Sequence, residues 1–373
     1  GKSNLPVNKK LLTKLNLTLD LHIQLTIGYK RIILNQDMTG DSSLSNNNLI
    51  IASERTIFSQ LEIITLSYLS YTPIPENSWR ELHTIFLLAH QKGFSGIKIQ
   101  DIADSSKKLK ILDIYLFALL LGLSEPYGLP NGSLYTLMPY FHLWIGYLSL
   151  FDKNNLEGLR YTYRIDPDIE KPFLPFVESR PEGQLYVTTD SLIHQMFGPN
   201  PPLSASNDEN AVENHELFRR SYFPKLITSW TNYPIRRYQR NSASGEMQLI
   251  AGFENAINIL KPEGNELSKE EKNLIQRWQI MNDSATGIGV EYKGHEVELV
   301  NVGGLVLYRT DEMKADDSWV TGVIRRFTQL GRSHLSMGIQ RLPPDAHTGK
   351  LNSLNPDDKF SASILMYPEN PLL

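Results

Sequence analysis

Apolar positions recur at helical spacing through residues 1–155. Within Glu54–Leu69 they include Ile57, Leu61, Ile64 and Leu66. Within Trp79–Gly93 they are Trp79, Leu82, Ile85, Phe86 and Ala89, close to one helix face, with Gly93 as a stop. Ser105 and Ser106 are candidate caps for a third helix over Lys107–Leu123. Tyr135–Leu150 is a fourth candidate, apolar enough to be helical despite Pro139. The stretch Asp41–Asn48 is polar and reads as a loop. No repeat of fixed period links these segments, so a helical bundle or stacked helix pairs is the expected architecture.

The pattern changes after residue 156. Leu159–Arg164 and Gln184–Thr189 read as short strands separated by turns rich in Asp, Pro and Gly. Asp166, Asp168 and Glu170 cluster in one turn but lack the glycine and distal glutamate of a calcium loop, so a solvated turn is the reading. A Pro/Ser/Asn/Asp connector covers 199–210, and Asn214–Trp230 suits a helix. From 236 onward the chain is mostly strand-like: Glu246–Ala251, Gln276–Met281, Gly287–Tyr292, His295–Val300, Leu305–Arg309, Trp319–Phe327, His334–Leu342 and Phe360–Met366. Phe253–Leu260 is more helical, and Glu270–Arg277 reads as a helix running up to the next strand. In Trp319–Phe327, strict alternation puts Trp319, Val323 and Phe327 on one face, as core, and separates Arg325 from Arg326. The expectation is a multidomain α+β protein. It has a helical domain over 1–155, a small β segment with a connecting helix over 156–235, and an antiparallel β-barrel with a helical insertion over 236–373.

Composition narrows the chemistry. With 41% hydrophobic and 21% charged residues among 373, the chain is ordinary globular material. It has no cysteine, which removes disulfides and thiol catalysis and fits a reducing, cytoplasmic setting. Leu17–Ile27 is too broken by Asp20, His22 and Gln24 to serve as a leader, and the dense apolar stretch Tyr140–Phe151 is too short for a membrane span. A formal net charge of -4 gives no global attraction for DNA or RNA. An anion site must therefore be local.

One segment is locally basic. Leu217–Gly245 holds Arg219, Arg220, Lys225, Arg236, Arg237 and Arg240 and no carboxylate. Arg236 and Arg240 are four apart, so a curled loop would let both guanidinium forks converge on one ligand. Each fork can pair with a phosphate and lay its flat face on a base. The bland reading is a solvated basic run. A second element, Asn282-Asp-Ser-Ala-Thr-Gly287, follows the strand carrying Trp278 and Ile280. If that segment stays extended through Ser284, Asn282 and Ser284 face one side and offer donors and acceptors to a base edge. Gly287 allows a tight turn or a close backbone approach. The bland reading here is an inter-strand turn.

Arg236 and Arg240, then Asn282, Ser284 and Gly287, resemble the two signature elements of the PilZ domain family. The later order of strands, through Val-Ile-Arg-Arg and Met-Gly-Ile, is similar to a PilZ barrel over roughly 236–366. The resemblance implies a receptor for cyclic di-GMP, often bound as a stacked dimer. It implies that Arg236 and Arg240, with Arg237 between them, contact phosphates and guanines, that Asn282 and Ser284 hydrogen-bond to a guanine edge, and that Gly287 shapes the turn. It further implies control of motility, pili, adhesion or polysaccharide through a partner protein, for which the helical domain is the expected surface.

No catalytic signature competes. The nine histidines are scattered, and neither a P-loop nor a nucleophile elbow occurs. The alternatives are two. A ligand-independent scaffold with a degenerate barrel is suggested by the long segment between Arg240 and Asn282, which contains Gly252–Leu260 and Lys261–Glu271. Single-stranded nucleic-acid binding through Arg237 and Tyr238 is the other, and the acidic net charge opposes it.

Overall fold

A computed structural model describes residues 7–39, 46–100, 108–152, 158–176, 185–198, 222–231, 239–260, 268–294, 300–311, 313, 319–343, 347–352 and 361–366. The chain divides into two compact units. One gathers Lys10–Pro126 and Ser133–Ile235; the other gathers Gly1–Lys9, Tyr127–Gly132 and Arg236–Leu373.

The first unit is built on helices α1 (Lys9–Thr39), α2 (Asn46–Leu69) and α3 (Ser78–Gln91). A short hairpin, β1 (Lys98–Gln100) with β2 (Lys108–Lys110), leads into α4 (Ile111–Leu123), and α5 (Ser133–Trp144) follows. By length and composition Ile111–Gly128 is apolar enough to cross a membrane, but 78% of that stretch is buried within the protein, as in a core helix. Tyr115 and Phe86 stack face to face with centroids 3.6 Å apart, tying α4 to α3. Lys110 is extended immediately before α4, so the helix starts later than the sequence suggests, and Ser105 and Ser106 lie outside the described residues. Pro139 does sit inside α5.

A four-stranded antiparallel sheet packs within the same unit. Its order is β3 (Ser149–Phe151), β6 (Leu185–Thr188), β4 (Thr162–Ile165), β5 (Leu174–Pro175). Helix α6 (Asp190–Met196) follows β6, and residues 222–231 form a further helix, α7. Asp190 accepts hydrogen bonds from Thr188 and from the backbone amides of Arg160 and Tyr161, fixing the entry to β4. The Asp166–Glu170 turn is structural. Asp166 accepts from the amide of Asp168 and pairs with Arg164. Glu170 accepts from the amide of Trp79 at 2.9 Å and that of Arg80 at 3.4 Å. It thereby caps α3, whose own N-cap residue, Asn77, makes no side-chain cap.

The second unit is a closed barrel. Around it run β8 (Glu246–Ala251), β9 (Gln276–Ser284), β10 (Gly287–Lys293), β13 (His334–Arg341), β12 (Val320–Gly331) and β11 (Leu305–Thr310), and β11 returns to β8. Every pairing is antiparallel, and closure leaves no long free edge. Met247, Leu249, Trp278, Ile280, Val290, Val306, Tyr308, Ile324, Phe327, Met337 and Ile339 are all buried. Alternation of period two turns these side chains inward, interrupted by a bulge in β12 between Ile324 and Phe327.

The helical insertion falls between β8 and β9 as α8 (Phe253–Ile259) and α9 (Lys269–Asn273). Ala256 of α8 packs with Ile250, Leu305 and Leu307, joined by half-buried Trp319 and Val323. The helix thus covers the outer face of β8 and β11. Helix α9 is short, held by a full capping box between Ser268 and Glu271, and stops before β9. The expected helix over Glu270–Arg277 is therefore corrected: β9 already begins at Gln276. The last two strands, β14 (His347–Asn352) and β15 (Ser361–Met366), form a separate hairpin. Within the expected strand His295–Val300, residues 295–299 lie outside the described residues, as do 214–221 of the expected helix Asn214–Trp230 and the connector 199–210.

The alternation expected for Trp319–Phe327 also needs correction. The pairing of β12 with β13 shifts register between Ile324 and Arg326, leaving Arg325 as an extra, bulged residue. The bulge inverts the inside–outside parity. Ile324 and Phe327 both enter the barrel core at 1% and 0% exposure, while Arg325 and Arg326 both face out. Trp319 and Val323 join the outer cluster under α8 instead of sharing a face with Phe327.

Candidate functional site

The asparagine-serine element is the end of a strand. β9 stays extended through Ser284, so Asn282 and Ser284 face the same side, away from the barrel core. Ala285 and Thr286 form the turn, Ser284 pairs with Gly287, and the Ser284 hydroxyl donates to the Gly287 carbonyl at 2.9 Å. A register shift between Gly289 and Val290 leaves Met281 unpaired across from them, one residue before Asn282.

Two glycines shape this surface, each by close approach. A Cβ on Gly287 would stand 2.5 Å from the backbone oxygen of Ile339, so no side chain fits between β10 and β13 there. A Cβ on Gly289 would stand 2.6 Å from Oδ1 of Asn282. The Asn282 side chain therefore lies across the Gly289 backbone, its paired residue on β10.

The opposite side of the element is locked by an ion pair. Asp283 points the other way and receives Nη2 of Arg341 at 2.6 Å. The same guanidinium donates to the Ser284 carbonyl at 2.7 Å and to the Tyr308 hydroxyl at 3.0 Å. Burial opposes the Arg341 charge, but the bonds to Asp283 and Tyr308 outweigh it and push the pKa up. Burial likewise raises the pKa of Tyr308, although Arg341 works against the rise. Arg341 thus anchors the strand end on the Asp283 side, opposite the face that carries Asn282 and Ser284.

The arginine segment reaches this face through a short strand, β7 (Asn241–Ser242). Asn241 pairs with Asp283 and Ser242 with Asn282. The antiparallel register places Arg240, one residue earlier, beside Ser284. The break between β7 and β8 is made at Gly245, whose φ of 141° suits glycine and whose carbonyl accepts from Ile280. Of the expected site residues, Arg240, Asn282, Ser284 and Gly287 come together at one end of β9. Arg236, Arg237 and Tyr238 lie outside the described residues. Helix α8 sits on β8 and β11, whereas this face belongs to β7, β9 and β10; residues 261–267 of the insertion are outside the described residues. Gly289 and Arg341 were not singled out from the sequence. Their roles depend on partners in register, which a linear pattern does not display.

Two comparisons bear on the chain. Residues 1–154 match the family model described as the N-terminal domain of the cyclic-di-GMP receptor FimW. The curated protein named cyclic-di-GMP receptor FimW, from Pseudomonas aeruginosa, is 26% identical over 244 residues, covering 64% of this chain and 39% of that protein. The match thus spans about two fifths of the relative's length. Residues 1–154 are thus similar to the N-terminal domain of a FimW receptor, and residues from 246 onward build a closed six-stranded barrel.

Proposed function

We propose that the chain is a cyclic di-GMP-binding regulatory protein and not an enzyme. The observation that supports the reading is the pairing of Asn241 with Asp283 and Ser242 with Asn282, a register that, carried one residue further, brings Arg240 opposite Ser284. The ligand carries two phosphates and two guanines. Arg240, joined by Arg236 and Arg237, supplies charge for the phosphates and a flat face for a base. Asn282 and Ser284 supply a donor–acceptor row for a guanine edge. The similarity to a protein named as a cyclic-di-GMP receptor supports the same ligand class.

In this reading the ligand fixes the Arg236–Arg240 segment against the barrel. That segment directly follows Ile235, where the helical unit ends, so its fixation is the natural point of control over a partner bound through the helices. A stacked ligand dimer suits the site because two intercalated molecules present guanine faces and phosphates together. The cytoplasm is the compartment in which such a messenger is met.

Calorimetric titration with cyclic di-GMP tests the reading. The wild-type protein is expected to bind saturably, and Arg236→Ala/Arg240→Ala to lose at least about tenfold in affinity, since charge-assisted contacts are worth ~1.5–3 kcal/mol each. Equal affinity in both proteins, or no binding by the wild type, rejects it.

A further inference from the structure

We propose that α1 is a self-association surface, through which two copies of this chain pair with their first helices antiparallel. The pairing is independent of the cyclic di-GMP reading and would stand without it.

Helix α1 is apolar on two sides. Leu15 and Leu19 are buried against Ile63 of α2, and Ile33 on the same side is wholly buried. Leu17, Leu21, Leu25 and Ile32 stand exposed on another side, Leu17 at 66% and Leu21 at 58%. With Gly28 they follow one another at steps of four, four, three and four, the spacing of a seam that meets a second helix. Seven of the fifteen large apolar side chains that are exposed among the described residues belong to α1, so the exposure is concentrated on this helix.

Gly28 is a second, independent sign. A glycine in a helix interior costs about 1 kcal/mol relative to alanine. Among the described residues no atom comes within 4 Å of where its Cβ would stand, so no packing inside the chain requires so small a residue. A second helix crossing closely at this point does require it.

The occupant that fits is another copy of α1. The four exposed side chains together offer apolar area on the order of 400 Å², the size of patch that marks an interaction site. Two-fold pairing buries that area twice, and the stems of Lys14 and Arg31 bring the contact toward the ~1,200 Å² at which specific interfaces begin. The dimer should therefore dissociate reversibly, in the micromolar range. Charge selects the direction. Parallel helices would set Lys14 against Lys14 and Arg31 against Arg31. Antiparallel helices with Leu21 of one copy on Leu25 of the other set Lys14 beside Ile32 and Arg31 beside Leu17, so that no like charges meet. The same register lays Thr18 over Gly28. The Thr18 hydroxyl donates to the Lys14 carbonyl at 3.0 Å, so it needs no partner across the seam. Gln24 meets its own copy near the two-fold axis, where each carboxamide can donate to the other and accept from it.

The test is sedimentation velocity on the full chain over a wide concentration range, with circular dichroism to establish that each variant is folded. Wild type is expected to pass reversibly from monomer to dimer. Leu21→Glu/Leu25→Glu should weaken self-association at least about tenfold, because four carboxylates would have to be buried together. The chain has no cysteine, so a single introduced thiol reports the direction of pairing. Treated with a short bis-maleimide, Gln24→Cys should link to its own copy. Lys14→Cys should not, since its two positions would lie about 27 Å apart along the antiparallel helices. A chain that stays monomeric throughout overturns the proposal, as does a dimer unchanged by Leu21→Glu/Leu25→Glu. Linking of Lys14→Cys in place of Gln24→Cys overturns the antiparallel pairing. A monomer that instead floats with phosphatidylglycerol vesicles, and no longer does so as Leu21→Glu/Leu25→Glu, overturns it in favour of a lipid surface.

Discussion

At the scale of single residues, Gly287 and Gly289 make contrasting predictions although both exclude a side chain. The atom that would meet a Cβ on Gly287 is the Ile339 backbone oxygen, at 2.5 Å. Backbone cannot swing aside, so Gly287→Ala should destabilise the barrel by ~1–3 kcal/mol, read as a lower denaturation midpoint. At Gly289 the obstacle is the tip of the Asn282 side chain, which can rotate away. Gly289→Ala should therefore stay within about 1 kcal/mol of wild-type stability and yet weaken cyclic di-GMP binding, because the Asn282 amide is displaced. Stability curves and titrations of the two variants separate the cases; loss of stability without any change of affinity in Gly289→Ala would contradict the placement of Asn282. The residues that meet at this strand end were legible in the sequence as types: an arginine, Arg240, an asparagine and a serine two apart, a glycine after them. What was not legible is what depends on register. Gly289, Gly338 and Arg341 act on residues of other strands, and the bulge at Arg325 reverses an alternation that looked regular.

At the scale of elements, a buried histidine joins α3 to α4 and to the turn before β5. His83 is fully buried, with Nε2 2.8 Å from the Lys171 carbonyl and Nδ1 2.8 Å from the Tyr115 hydroxyl. A carbonyl only accepts, so Nε2 carries the proton, and Nδ1 accepts from Tyr115. Burial lowers the pKa from 6.5 to about 4, a loss that the Lys171 hydrogen bond only partly offsets. The folded protein thus holds this imidazole neutral while the unfolded chain takes up a proton near pH 6.5. Its contribution is complete above pH 6.5 and is lost as pH falls toward 4, by on the order of 3 kcal/mol. Denaturation of wild type and His83→Gln across that range should show the wild type losing stability faster on acidification; parallel curves would contradict the buried neutral tautomer. The barrel has its own buried polar clasp. Gln329, on β12, accepts from the Val7 amide at 2.8 Å and donates to the Val7 carbonyl at 3.2 Å. Gln329→Leu should cost about 1–3 kcal/mol in chemical denaturation, because both backbone groups lose their partner in a buried setting. Helix α1 shows why some elements escaped the sequence reading. Leu15, Leu19 and Ile33 are buried, yet Leu17, Leu21 and Leu25 on another face are exposed, which blurs the 3.6-residue contrast that marks an amphipathic helix.

At the scale of the whole molecule, the helical and barrel halves and the helical insertion were readable, since runs of helical period give way to short alternating strands near residue 240. Barrel closure was less so. It depends on β9 pairing with both β8 and β10, and on β8 with β11, contacts between segments far apart in sequence. The same long-range pairing builds the site, because β7 finds β9 across the whole insertion. We propose that a cyclic dinucleotide is held where these strands meet. Hydrogen–deuterium exchange on the intact chain, with and without saturating cyclic di-GMP, tests it most directly. New protection is expected in peptides covering 236–243 and 280–290, with α8 unchanged. Saturation that leaves both segments exchanging as before, or protection confined to α8 and the helical unit, would contradict it.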